Sequence, residues 1–265
     1  MLDLTRTIRR RLGGGWKLKL ADLLEKASPA RAHEMRMRVW QQRHRHLAGA
    51  YRGRSAILLT CGPSLQQVWS EQLEQLASRH VIIAVKQAID LTGALPDFHL
   101  FNECRMKTYH YPAPTIRLSV SKYLEDHPCE IHYPIRRYDW DQALFVTNQY
   151  DRWELSRSWE RPWGIGILFE MGLQLPAYLG CRRLVIVGFD MNPEGRYHFY
   201  DENQKQDSRH YSVDPREFEF AKRTVPHYLA WAKKKQMQVR LYSPLSALPF
   251  DRLDSLTQTA SFLEA

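Results

Sequence analysis

The chain is predicted to be an α/β protein built on a mostly parallel sheet with helices on both faces. Three observations predict this. The short uncharged runs Ala56–Leu59, Val81–Val85 and Leu184–Val187 have the length and apolar continuity of strands buried on both faces. Segments with helical spacing alternate with them, the pattern of right-handed parallel crossovers. Each run ends in small or polar residues, at the edge where a doubly wound sheet opens its ligand crevice. The expected architecture is therefore Rossmann-like. With 265 residues, 44% of them hydrophobic, the chain can bury one substantial core and needs no second domain.

The first strand is expected within Ser55–Leu65, the segment Ser-Ala-Ile-Leu-Leu-Thr-Cys-Gly-Pro-Ser-Leu. After it, Gly62 leaves room for a close approach, Pro63 presets a helical φ, and Ser64 is a good N-terminal cap. The helix would run through Leu65, Val68, Leu73 and Leu76, and its free N–H groups would attract a phosphate or another anion. An ordinary strand-to-helix turn that binds nothing carries the same signature.

Val81–Val85 reads as the second strand, with Lys86 and Gln87 at its end and a short helix to Leu91. Phe98–Asn102 reads as the third, ending in Asn102 and Glu103. The region from about 105 to 161 is aromatic and irregular. Within it, Thr115–Val120 and Glu130–Tyr133 could be strands, while Tyr and Trp in loops could wall a sugar or base or plug the core. A Leu- and Met-rich helical segment follows Trp163-Gly-Ile-Gly166 and stops at Gly180. Leu184–Val187 then delivers Gly188, Phe189 and Asp190 to the crevice. From Asn192 to Asp214 a long polar loop is expected to act as a lid. A helix over Arg216–Lys235 and a strand over Gln238–Tyr242, ending in Ser243-Pro244, complete the domain. The expected boundaries are a basic amphipathic extension at 1–54, the domain at 55–250 and a tail at 251–265.

The formal charge of +9 asks for an acidic partner, and much of the excess precedes the first strand. Leu2, Leu4, Ile8 and Leu12 are interleaved with Arg6, Arg9, Arg10 and Arg11; Trp16, Leu18, Leu20, Leu23 and Leu24 alternate with Lys17 and Lys19. Such a segment fits either a helix lying on an anionic membrane or a solvated extension packed on the core. No nucleic-acid motif accompanies it. Cys61, Cys104, Cys129 and Cys181 are scattered, without zinc or disulfide-framework spacing. No run reaches the roughly 20 apolar residues of a membrane span, and the N-terminus lacks a signal-peptide core. The expected location is the cytoplasm, with possible peripheral attachment at the inner membrane face.

From Ser55 to Ser243 the order of these motifs resembles the bacterial lipooligosaccharide sialyltransferase family. The carriers are Gly62-Pro63-Ser64-Leu65 after the first strand, a polar residue and Gln87 after the second, Asn102 after the third, Leu179-Gly180 leading to Gly188-Phe189-Asp190, and a loop with His210-Tyr211. Related motility-accessory-factor glycosyltransferases and hydroxymethylpterin diphosphokinases share Gly62-Pro63-Ser64 and Leu95-Pro96-Asp97. The resemblance implies a Rossmann-like glycosyltransferase with a lid, using a CMP-activated sugar without a metal or other cofactor and acting on a glycan or glycolipid. It places the donor near Cys61, Gly62, Pro63, Ser64, Lys86, Gln87, Asn102, Gly188, Asp190 and Asn192. Cys61 and Lys86 each stand where the family has Asn. Asn192 and Tyr197 fall near the tyrosine pair that helps the phosphate leave. The general base falls to Asp214, where the family has His, or to His210 beside Tyr211; Asp214 could equally cap the helix starting at Pro215. Two other readings are a diphosphokinase using ATP and magnesium through Glu103 and Asp190, and a non-catalytic nucleotide- or glycan-binding protein.

Overall fold

The computed structural model describes residues 15–24, 27–28, scattered positions between 31 and 44, and residues 45–92, 96–102, 115–121, 131–134, 171–192 and 215–265. Within them lie seven strands: β1 (Ser55–Leu59), β2 (Val81–Val85), β3 (Phe98–Asn102), β4 (Ile116–Ser121), β5 (Ile131–Pro134), β6 (Arg183–Val187) and β7 (Gln238–Tyr242). They form one sheet in the order β5-β4-β3-β2-β1-β6-β7, and every neighbouring pair is parallel. The helices are α1 (Gly15–Leu24), α2 (Pro63–Val68), α3 (Glu71–Ala77), α4 (Ala88–Thr92), α5 (Leu175–Leu179), α6 (Pro215–Lys234) and α7 (Leu256–Glu264).

The two-residue period of the strands sorts the core into two layers. Ala56, Leu58, Val81, Ile83, Phe98, Leu184 and Ile186 pack with α5 and with Phe220, Val225, Tyr228 and Trp231 of α6. Ile57, Leu59, Ile82, Ala84, Val185 and Val187 pack on the other face with α2, α3, α4 and α7. All five residues of β1 and of β2 are buried, which explains why these strands read as continuous apolar runs. The Tyr228 hydroxyl, in the middle of the first layer, donates to the Leu173 carbonyl at 3.1 Å.

Three local features differ from the sequence expectation. The single helix through Leu65 and Leu76 is two, because Trp69 turns extended (φ −68, ψ 116) and the Ser70 hydroxyl accepts from the Leu73 amide at 3.3 Å, starting α3 afresh. Ser64 does not cap α2. Gly62 is the N-cap residue (φ −71, ψ 158), Pro63 occupies the first turn, and Ser64 lies inside it. Within the expected tail 251–265, Leu256–Glu264 form α7, capped by Ser255, with Thr259 and Leu263 buried. The apolar second face of β1 and β6 requires a cover there. The Ser55 hydroxyl, at the start of β1, donates to the Leu263 carbonyl at 2.6 Å and pins the helix.

The end of the 1–54 extension is tied to the amino-terminal side of the sheet. Gly49, Tyr51 and Gly53 donate to the carbonyls of Tyr178, Leu179 and Gly180 at 2.9, 2.8 and 3.0 Å, and Arg182 donates back to Arg54 at 2.9 Å. The expected lid falls at 193–214, and most of the aromatic region at 103–114, 122–130 and 135–170, outside the described residues.

Candidate functional site

The strand order reverses at β1. From it the chain proceeds through β2 to β5 on one side, and later through β6 to β7 on the other. In a doubly wound sheet the crevice opens at the carboxyl ends beside such a reversal. Here the two flanking turns are those after β1 and β6, the segments that hold most of the donor-binding candidates expected from the sequence.

These two turns are locked together. Thr60 and Gly62 donate their amides to the carbonyls of Val187 and Gly188 at 2.9 and 2.8 Å, and the Thr60 hydroxyl also donates to Val187 at 3.0 Å. Asp190 reaches back across the junction. Its Oδ2 accepts the Ser64 amide at 2.5 Å, and its Oδ1 accepts the hydroxyls of Ser64 and, at 2.5 Å, of Ser243, which lies just past β7. The two hydroxyl oxygens are themselves 2.7 Å apart, so two protons serve three short oxygen contacts. Ser64, Ser243 and Asp190 are all buried. A buried carboxylate is tolerated only when hydrogen-bonded in this way.

The geometry reassigns several residues. The anion at the start of α2 is the chain's own Asp190 carboxylate, and Ser64 spends both its amide and its hydroxyl on it. Gly62 is required by this packing: a Cβ there would lie 2.6 Å from Asp190 Oδ2. Gly188 is left-handed at φ 77, and a Cβ would meet that of Leu65 at 2.6 Å. Pro63 opens α2 and Phe189 packs in the core with its ring centroid 6.2 Å from that of Phe250, while the Asn192 amide group donates to the Leu245 carbonyl at 3.4 Å.

Beside the junction, at the end of β2, a second group of candidates converges. Lys86 is left-handed at φ 47, a conformation costly for a residue with a Cβ. The neighbouring strand holds it there: its amide donates to Leu100 at 2.8 Å, and His99 Nε2 lies 2.8 Å from its carbonyl. A carbonyl can only accept, so Nε2 carries the proton. Burial pushes the His99 pKa down to about 4, and the ring stacks on Phe101 at 5.3 Å between centroids. The Lys86 and Gln87 side chains are half-buried. Cys61 Sγ donates to the Val85 carbonyl at 3.1 Å and lies 4.0 Å from Gln87 Oε1. Burial pushes its thiol up to about 11, outweighing the opposite pull of the Lys86 charge, so it is protonated at neutral pH.

Thus Cys61, Lys86 and Gln87 form one cluster; Gly62, Ser64, Gly188 and Asp190 form another. Asn102 closes β3 in register with Val120. Tyr197, His210, Tyr211 and Asp214, the candidates for leaving-group assistance and proton removal, lie outside the described residues, as does Glu103. Among the described residues no group of three His, Cys, Asp or Glu side chains could hold a metal ion. Asp97 has a structural use on the opposite edge, where its Oδ2 accepts the Ile82 amide at 2.8 Å and its carbonyl accepts that of Ile116 at 2.9 Å.

His99 and Ser243 were not singled out from the sequence. A lone His inside an apolar strand and a Ser at a strand end were the available signals, and neither reveals its partner.

No family model matches the chain, and no curated protein matches it. Among solved structures it is similar to the MAf glycosyltransferase from Magnetospirillum magneticum AMB-1, with a TM-score of 0.46 and 14% identity over 88% of this chain. The chain spans 41% of the length of that protein.

Proposed function

We propose that the chain is a glycosyltransferase that moves a sialic-acid-like or Kdo-like sugar from a CMP-activated donor to a bacterial surface glycan. The observation that carries the reading is Lys86. A residue with a Cβ is held left-handed by two hydrogen bonds from β3, one from its amide to the Leu100 carbonyl and one between its carbonyl and the His99 ring, at the carboxyl edge beside the strand reversal. A strained residue at such an edge is a candidate for function, and a half-buried lysine there is suited to a phosphate.

The donor phosphate would lie against Lys86 and Gln87, with the nucleotide crossing towards Asn102 on one side and Gly62 on the other. The Asp190–Ser64–Ser243 junction would shape the floor without touching the reacting atoms. In the transfer, an acceptor hydroxyl oxygen bonds to the anomeric carbon as that carbon's bond to the phosphate oxygen breaks. The electron pair leaves with CMP, whose charge Lys86 and the Tyr197 hydroxyl would stabilise. Asp214 or His210, beside Tyr211, would take the acceptor proton.

The test is thermal stabilisation of the purified chain by CMP, CDP, UDP and ATP, each with and without magnesium. Stabilisation by CMP without metal, weakened about tenfold or more in Lys86→Ala by the loss of one charge-assisted contact, is the expected result. Magnesium-dependent preference for ATP, or no response to any nucleotide, would overturn the proposal.

A further inference from the structure

The turn that follows β2 is held from both neighbouring strands. The sheet places β2 between β1 and β3, and one side chain from each side reaches its carboxyl end. From β3, His99 brings Nε2 within 2.8 Å of the Lys86 carbonyl. From the segment just past β1, Cys61 Sγ donates to the Val85 carbonyl at 3.1 Å and accepts hydrogen bonds from the amides of Gln87 and Ala88. Two side chains thus occupy backbone groups at every residue from Val85 to Ala88. Neither opens onto solvent, for His99 is fully buried and Cys61 is 7% exposed.

The residue inside this bracket is the one whose backbone is costly. Lys86 has φ 47, where a Cβ crowds the adjoining peptide groups, and a glycine would make the same turn without that cost. A return to negative φ would rotate the Cα–Cβ bond and carry the ammonium in another direction. The direction of the Lys86 side chain therefore depends on contacts made by Cys61 and His99.

We propose that Cys61 and His99 are positioning residues, which hold the turn after β2 so that Lys86 presents its ammonium to an anionic group in the crevice, and that neither touches that group itself. The proposal rests on the transferase reading for the identity of the anion, the donor phosphate, and not for the clamp. Cys61 thereby moves from the residues expected to contact the donor to those that support them.

The experiment measures CMP affinity by calorimetric titration of the full chain, together with hydrogen exchange of the peptide spanning residues 85–89. His99→Leu and Cys61→Ala remove the contacts. Each should weaken CMP binding about fivefold or more, the loss expected when one charge-assisted contact is misplaced, and should speed exchange in the turn. His99→Gln and Cys61→Ser keep a donor and should bind within about twofold of the parent. In a Lys86→Ala background, His99→Leu and Cys61→Ala should cause no further loss of affinity, because they act through that side chain. Leu263→Ala, in α7, is the control: it should lower the thermal midpoint and leave CMP affinity unchanged. Additive losses in the Lys86→Ala background, no rescue by the conservative variants, or unchanged exchange in His99→Leu and Cys61→Ala would each overturn the proposal. A parent chain that binds no nucleotide overturns the transferase reading, and the clamp then stands or falls on the exchange rates alone.

Discussion

Asp190 grips Ser64 through both of its carboxylate oxygens, Oδ2 on the amide and Oδ1 on the hydroxyl, across 126 residues of sequence. The contact fastens the turn after β1 to the turn after β6, and through Ser243 it also includes the end of β7. The carboxyl edge of the sheet is therefore held by one buried anion at the place where the strand order reverses.

Replacing Asp190 by Ala should leave the Ser64 amide and one hydroxyl without an acceptor, since the Ser64 and Ser243 hydroxyls, 2.7 Å apart, can still bond to each other. The expected cost is about 3 kcal/mol, read as a lower urea midpoint. Asp190→Asn keeps an acceptor oxygen and should recover part of the loss. A change below about 1 kcal/mol in Asp190→Ala would show that the junction holds without this carboxylate.

His99 predicts an acid-side dependence. Its folded pKa of about 4 lies below the ordinary 6.5, so in this window the unfolded chain binds its proton first. Stability from this group is present above pH 6.5 and is lost as pH falls from 6.5 towards 4. Urea unfolding across that range should show the loss. His99→Gln, which keeps a donor for the Lys86 carbonyl but cannot titrate, should reduce it. Equal pH dependence in both proteins would refute the assignment.

Helix α7 should behave as part of the core. Leu263 is 2% exposed in the second layer, and its carbonyl receives the Ser55 hydroxyl. Leu263→Ala is expected to destabilise the protein by about 2–4 kcal/mol. Calorimetry should find a single lowered transition. An unchanged midpoint would make the helix a dispensable appendage.

The strands were legible from sequence because each buried run is a local property. Ala56–Leu59, Val81–Val85 and Leu184–Val187 announce burial on both faces without reference to their neighbours, and Gly180 announces a helix end in the same way. The site was less legible because its contacts are distant. Ser64 looks like an N-cap beside an open anion hole until Asp190 is brought to it. Cys61 looks like a polar candidate until burial raises its thiol, and Lys86 shows its strained backbone only once β3 lies beside it. Leu263 gave too short an apolar pattern to announce its docking, since its partner Ser55 is 208 residues away.

The placement of β1 has a consequence for the newborn chain. Among the described strands it comes first in the chain, yet it lies inside the sheet, and one of its two flanks is filled by β6, with Val187 lying 127 residues beyond Thr60. At ribosomal speeds that flank stays open for on the order of ten seconds. For that interval an apolar strand presents unpaired amides and carbonyls, the template on which chains join one another. Shielding that edge during translation, through lower temperature, slower synthesis or a chaperone, is thus expected to raise the recovery of soluble protein.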